Sequence, residues 1–294
     1  MKKKKNEIKL FCEFVIPPML IWASIVVIPL IYGIYLTFTN WNGLSPNYDL
    51  VGFSNYAAIF TDKTFLSSLW KTFVYVFFVV VFSNVLGLAL ALLLTYGIKL
   101  QGLFRTCFFA ANMIGGVVMG YIWNYIFSFA LTKVGAVTGW GLLQKSWLTS
   151  PGTALVALIV VAVWQLSGYL MVIYVAGLTN VSKDMLEAAK IDGATIIQQI
   201  RNVELPALKP VIVIQFILSA GNIMSIGFEK VYAMQTDLNK ITSDIIPTYV
   251  YRLGLEMGDY GYSTAVGLFN SIVNLILLVA VNYVVSKLNE GEGL

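Results

Sequence analysis

The chain of 294 residues has no histidine, only two cysteines, and charges on just 12% of its positions. Missing histidine removes the commonest metal ligand and the usual general base at neutral pH. Cys12 and Cys107 are far apart, fit no metal spacing and supply no disulfide framework, so both read as ordinary apolar residues. With 58% hydrophobic residues, the polar positions are too few to cover the core of a soluble domain of this size. No G-x-x-x-x-G-K-[ST] phosphate loop occurs, so the chain does not bind ATP by that route. Short segments alternating apolar and polar residues, the mark of spanning β-strands, are also missing. The net charge of +4 is no nucleic-acid footprint, because Lys2, Lys3, Lys4 and Lys5 form a cluster at the N-terminus, where a topogenic tail places them.

What the sequence does have is long apolar runs, with a mean hydropathy of +0.79. Six stand out, over residues 14–38, 71–96, 105–129, 153–177, 208–228 and 264–286. Each approaches the roughly 20 helical residues that cross a hydrocarbon core. The fold class is therefore an all-α integral membrane protein with six transmembrane helices. The first run is too long for a signal-peptide core, lacks a small-residue cleavage site, and reads as a retained helix. Pro17, Pro18 and Pro29 predict that it is kinked or starts late. Asn112, Gly115, Gly116 and Asn124 interrupt the third, which suits a helix buried among protein neighbours. With the N-terminus inside, the cytoplasmic segments hold Lys2–Lys5, Lys9, Lys99, Arg105, Lys183, Lys190, Arg201, Lys209 and Lys287. That excess places both termini in the cytoplasm. Residues 1–69 form a tail, the first helix and an outer loop; 70–286 form a core of five spans; 287–294 form a cytoplasmic tail.

The inside loop over residues 182–206 is polar and carries both charge signs, yet reads as helical. Ser182 is placed to N-cap a helix, with Asp184 and Glu187 near its positive end. Gly193 permits a sharp turn, and Thr195 can cap a second short helix to about Arg201. Leu205–Pro206 stops it, and Pro210 belongs to the first turn of the next span. Two short helices at an angle make either a compact docking knob or an amphipathic loop resting on lipid headgroups.

Glu187-Ala188-Ala189, then three intervening residues and Gly193, then nine more and Val203-Glu204-Leu205-Pro206, resembles the EAA loop of binding-protein-dependent ABC importer permeases. Glu187 through Ala194 is similar to the carbohydrate branch of that family, as are Trp164-Gln165, Ala176-Gly177-Leu178, Val51 through Tyr56, Gly87 through Leu93 and Gly258 through Tyr262. The resemblance covers nearly the whole chain and implies the type I ABC importer permease fold. It implies that Glu187, Ala188, Ala189, Asp192, Gly193, Leu205 and Pro206 dock a cytoplasmic ATPase subunit through a coupling helix. It further implies a second, different permease chain, two ATPase subunits carrying ATP and Mg, an extracytoplasmic solute-binding protein, and no cofactor on this chain. Its location would be a prokaryotic plasma (inner) membrane.

Polar residues inside apolar runs mark either interhelical hydrogen bonds or a solute path. Gln215, Ser219 and Asn222 share one face of the fifth run, with Ser225 a turn on; Asn270 and Asn274 share a face of the sixth; Trp164 and Gln165 sit in the fourth. Neutral amides, hydroxyls and aromatics suit a sugar, whose hydroxyls need donors and acceptors. By the resemblance, Asn222 and Ser225 fall at sugar-contacting positions of maltose-type permeases, with Ser225 in place of an amide. Glu13, Glu229 and Lys230 all fall near span ends, which argues for a neutral substrate and against an ion-coupled secondary carrier. A glycerol-phosphate permease is the alternative within the same class, and the sequence shows no cationic lining to favour it. An enzyme is the weakest reading, because no nucleophile–base or metal constellation occurs.

Overall fold

The computed structural model describes residues 10–96 and 99–290, apart from the side chains of residues 220, 222–226, 284–286 and 288–290. The tail lysines Lys2, Lys3, Lys4, Lys5 and Lys9, and the side chains of Asn222 and Ser225, therefore lie outside the described residues. Among the described residues, six stretches are long and apolar enough to cross a bilayer: Leu10–Leu36, Lys63–Thr95, Gly116–Thr138, Pro151–Thr179, Ile196–Ser219 and Tyr260–Tyr283. In chain order the helices are α1 (Leu10–Leu36), α2 (Ser54–Thr61), α3 (Lys63–Thr95), α4 (Gln101–Met113), α5 (Gly116–Thr138), α6 (Pro151–Thr179) and α7 (Lys183–Ile191). They continue with α8 (Ile196–Gln199), α9 (Leu205–Ile226), α10 (Phe228–Met234), α11 (Lys240–Ser243), α12 (Ile246–Tyr251) and α13 (Tyr260–Glu290). The number of spans is the expected one; the third differs in placement. Ile114 and Gly115 turn extended, with ψ of 126° and 145°, so the run over 105–129 splits into α4 and α5. Two adjacent glycines make helix costly here and extended backbone cheap.

The chain divides into two compact units, Met1–Leu66 with Tyr249–Ser271 and Ser67–Thr248 with Ile272–Leu294. In the first, Asn55 Nδ2 donates to the carbonyls of Thr37 and Thr39 at 2.8 and 2.9 Å, and the Gly261 N–H donates to the Trp41 carbonyl at 3.0 Å. The Val51–Tyr56 and Gly258–Tyr262 segments thus fold onto one short stretch after α1. Asp62 caps α3 by accepting from the N–H groups of Thr64 and Phe65, and accepts from the hydroxyls of Tyr249 and Tyr262 as well.

In the second unit α6 is the central helix. Its Ala157, Leu158, Val161 and Ala162 join Tyr75, Val76, Val79 and Val80 of α3, Met119 and Phe127 of α5, and Val231 and Met234 of α10 in one apolar cluster. Leu170, Met171, Tyr174 and Leu178 of the same helix form a second cluster with Ala91, Leu94 and Leu208. Tyr174 Oη donates to Asn84 Oδ1 at 2.6 Å, tying α6 to α3 inside this cluster's layer. Helices α5 and α10 touch backbone to backbone: a Cβ added at Gly120 would stand 2.5 Å from Ala233 Cβ and 2.9 Å from the Lys230 carbonyl. Only glycine permits that approach.

The loop over 182–206 forms two short helices, α7 and α8, with three departures from expectation. Ser182 sits at the N-cap of α7, but its side chain makes no capping hydrogen bond. Leu205–Pro206 does not stop the chain: a π turn over Ile200–Glu204 runs into α9, and Pro206 falls in the first turn, where its missing N–H is harmless. Pro210 lies inside α9 rather than in its first turn.

Candidate translocation cavity and docking corner

Helix α7 ends at a corner set by local chemistry. Gly193 has φ +75°, its N–H donates to the Lys190 carbonyl at 3.1 Å, and the Ala194 N–H donates to the Ala189 carbonyl at 2.9 Å. This double closure is a Schellman motif with glycine at the left-handed position and Asp192 as the cap. Thr195 and Gln198 then open α8 with a reciprocal capping box, and Gln199 Nε2 donates to the Ala194 carbonyl at 2.8 Å. The corner is thereby fixed by hydrogen bonds within the loop. Glu187, Ala188, Asp192, Gly193 and Pro206 are exposed on it, while Ala189 and Leu205 are half-buried.

The corner also exposes apolar side chains that the sequence pattern did not single out. Ile191 and Ile197 are 86% and 76% exposed, and Met185 and Ile196 more than half. Met185 and Ile191 lie on α7, outside the membrane-length stretches, while Ile196 and Ile197 open the Ile196–Ser219 stretch. Where the loop re-enters the membrane, Glu204 is buried, and the Tyr96 hydroxyl just beyond α3 donates to it. Burial, and then that bond, raise the Tyr96 pKa above the ordinary tyrosine range.

The second feature is a cavity of about 670 Å³ in the larger unit, at the place where two helices break. Its wall includes the α4–α5 break, Asn112 to Gly116, and the α9–α10 joint, Gly227 to Lys230, together with Gln165, Tyr169, Gln215 and Ser219. Broken helices leave backbone groups to be satisfied by side chains. Gln165 does this, donating from Nε2 to the carbonyls of Ala111 and Ile114, both at 3.2 Å. Its Oε1 is buried without a partner. Gln215 and Ser219 are buried to 7% and 5% exposure and make no hydrogen bond among the described residues. The cavity thus offers unpaired amide and hydroxyl groups against Tyr75, Tyr169 and Phe228, an arrangement suited to a polyhydroxylated solute.

The sequence-proposed path residues do not all meet here. Gln165, Gln215 and Ser219 share the cavity. Trp164 turns the other way, into an apolar groove between α3 and α6, with its ring edge-on to Trp123 at 5.5 Å. Asn274 Nδ2 reaches the Gly221 carbonyl at 3.5 Å, and Asn270 and Asn274 each keep a buried Oδ1 without a partner. Glu229 and Lys230, which the sequence placed at a span end and away from the path, stand on the cavity wall. The reason is that α10, which follows α9 at Gly227, packs against α5 through Gly116 and Gly120. Asn112, which interrupts the third run, and Tyr169, one turn beyond Gln165, also line the cavity.

Residues 83–290 match the family described as binding-protein-dependent transport system inner membrane component. The chain is 31% identical over 271 residues to the probable starch degradation products transport system permease protein AmyD of Thermoanaerobacterium thermosulfurigenes, covering 92% of this chain and 90% of that one. It is 30% identical to the multiple sugar-binding transport system permease protein MsmF of Streptococcus mutans, over 88% of this chain and 89% of the relative. In fold it is similar to a chain of a bacterial ABC transporter involved in the import of the acidic polysaccharide alginate, with a TM-score of 0.84 at 24% identity, covering 97% and 98% of the two chains. With six membrane-length helices and a family match over most of its length, the chain belongs to the binding-protein-dependent transport system inner membrane components, as a multi-pass permease subunit.

Proposed function

We propose that this permease forms half of the translocation path for a sugar or oligosaccharide, in an importer driven by ATP. The observation that carries the solute class is the cavity of unpaired Gln165, Gln215 and Ser219 groups beside aromatic rings, sized for a small saccharide. Relatives named for starch degradation products and for multiple sugars support the same class. ATP and Mg belong on a separate ATPase, since this chain has no phosphate loop. The exposed corner carrying Glu187, Gly193, Ile191 and Ile197 is the surface on which that ATPase docks. The working importer pairs this chain with a second permease, two ATPase subunits and an extracytoplasmic binding protein. Both termini and the corner face the cytoplasm of a prokaryotic cell, by the excess of lysine and arginine on that side.

Affinity purification of the tagged chain from native membranes, with uptake assays, tests this. Recovery of a second permease and an ATPase, with uptake abolished by ATP depletion, is the expected result. Purification alone, with uptake indifferent to ATP but collapsed by dissipating the ion gradient, overturns it in favour of an ion-coupled carrier.

A further inference from the structure

The cavity wall carries two charges that differ in how they are satisfied. Glu229 Oε2 lies against the first turn of α5, where a Cβ added at Gly116 would stand 2.5 Å from it. That helix end has no side-chain cap, so its positive pole faces the carboxylate. Lys230 has only the charge of the adjacent Glu229 acting on it. Among the described residues it makes no hydrogen bond and no ion pair, and it is half-buried in a chain that crosses a membrane. It is also the one cationic residue among those lining the cavity. A cation half-buried on a cavity wall is costly unless something pairs with it, which points to an anionic group on the ligand.

We propose, building on the sugar-permease reading, that the solute is an anionic sugar, one bearing a carboxylate or a phosphate, and that Lys230 selects it by pairing with that group. Gln165 Oε1, Gln215 and Ser219 then serve the hydroxyls, so that charge and hydroxyl pattern are read by different parts of one wall. Glu229 acts on Lys230 through its charge alone, its Oε2 lying against the first turn of α5. A neutral sugar would leave the ammonium without a hydrogen-bonded partner in the loaded state, and a free inorganic anion would leave the amides idle. A charge-assisted hydrogen bond to a carboxylate or phosphate satisfies both.

The test is a deletion strain complemented with the full chain or its variants, given a mixture of neutral oligosaccharides, uronate-containing oligosaccharides and sugar phosphates. Mass spectrometry of the medium and of cell extracts identifies the solute whose uptake depends on the chain. The expected solute is anionic, and the arm that responds separates carboxylate from phosphate. Lys230→Met should raise its apparent KM at least about tenfold, with protein level unchanged, and Lys230→Arg should restore uptake to within a few-fold. A neutral solute, or an anionic one whose KM is indifferent to Lys230→Met, overturns the inference while leaving the sugar permease standing. Uptake of none of the three classes overturns the sugar reading and this inference with it.

Discussion

Gln165 donates to the carbonyl of Ala111 across 3.2 Å, from α6 to the last turn of α4, and reaches the carbonyl of Ile114, at the helix break itself, at the same distance. One side chain thereby serves two carbonyls freed by the turn at Ile114 and Gly115, and holds the cavity wall open at that point. Gln165→Leu keeps the approximate volume and removes both donors. Leaving buried carbonyls unsatisfied costs about 1–3 kcal/mol each before relaxation. Thermal unfolding of the purified chain in detergent should show a lower midpoint for Gln165→Leu than for wild type. Uptake should fall even at temperatures where both remain folded. Unchanged unfolding and uptake would mean that the break is held by something else.

Much of this architecture is legible in the sequence for a simple reason: six runs near 20 apolar residues have few alternatives to spanning helices. The corner after α7 is equally local. Gly193, Thr195 and Gln198 act on their own neighbours within a few residues, so their spacing alone implies the turn and the cap. The cavity is different in kind. Gly116 meets Glu229 and Gly120 meets Ala233 across more than 100 residues of chain, and no periodicity in either segment encodes that meeting. An apolar run also continues through Ile114, which hid the break inside what reads as one span. For the same reason Trp164 and Gln165, neighbours in sequence, look into different spaces once α6 is packed on both sides.

Gly193 provides a prediction in which the backbone alone is at issue. A Cβ there meets nothing within 4 Å, but φ is +75°, a conformation that costs an L side chain roughly 1–2 kcal/mol. Gly193→Ala should therefore loosen the α7 corner without any clash, and Gly193→Asn, which tolerates the left-handed region better, should loosen it less. If the corner docks the ATPase, the amount of ATPase recovered with the tagged permease should fall in the order wild type, Asn, Ala. Equal recovery for all three at matched expression would remove the corner from the docking surface.

Asp62 gives the first unit a dependence on acid. Burial pushes its pKa up, but the hydroxyl of Tyr249, the Phe65 N–H, the hydroxyl of Tyr262 and the Thr64 N–H all favour the carboxylate, and the net shift is downward. Burial, and then the bond to Asp62, push the Tyr249 phenol upward, so it stays a donor at neutral pH. A folded-state pKa below the unfolded one stabilises the fold above the unfolded value, and that contribution is lost as pH falls through the folded one. The loss belongs below about pH 4. Asp62→Asn should lower stability at pH 7 and flatten the acid limb. Limited proteolysis of purified protein between pH 7 and pH 3 reads both. An acid limb as steep in Asp62→Asn as in wild type would show that other carboxylates carry it.

Gly120 tests the contact that shapes the cavity from behind. Its missing side chain lets α5 lie directly on α10, and even a methyl group would press on Ala233 Cβ and the Lys230 carbonyl at 2.5 and 2.9 Å. Backbone cannot yield as a flexible side chain does, so Gly120→Ala should cost about 1–3 kcal/mol by overpacking, and Gly120→Leu more. Because α10 carries Glu229 and Lys230, pushing it away displaces the charged wall along with the helix. The expected pattern is a lower unfolding midpoint together with a raised KM for the transported solute, both graded with side-chain size. Pairing Gly120→Ala with Ala233→Gly relieves the Cβ–Cβ contact and should recover part of both losses. If Ala233→Gly restores nothing, the cost of Gly120→Ala lies in the approach to the Lys230 carbonyl, and a graded KM would then have to follow the α10 backbone rather than its side chains.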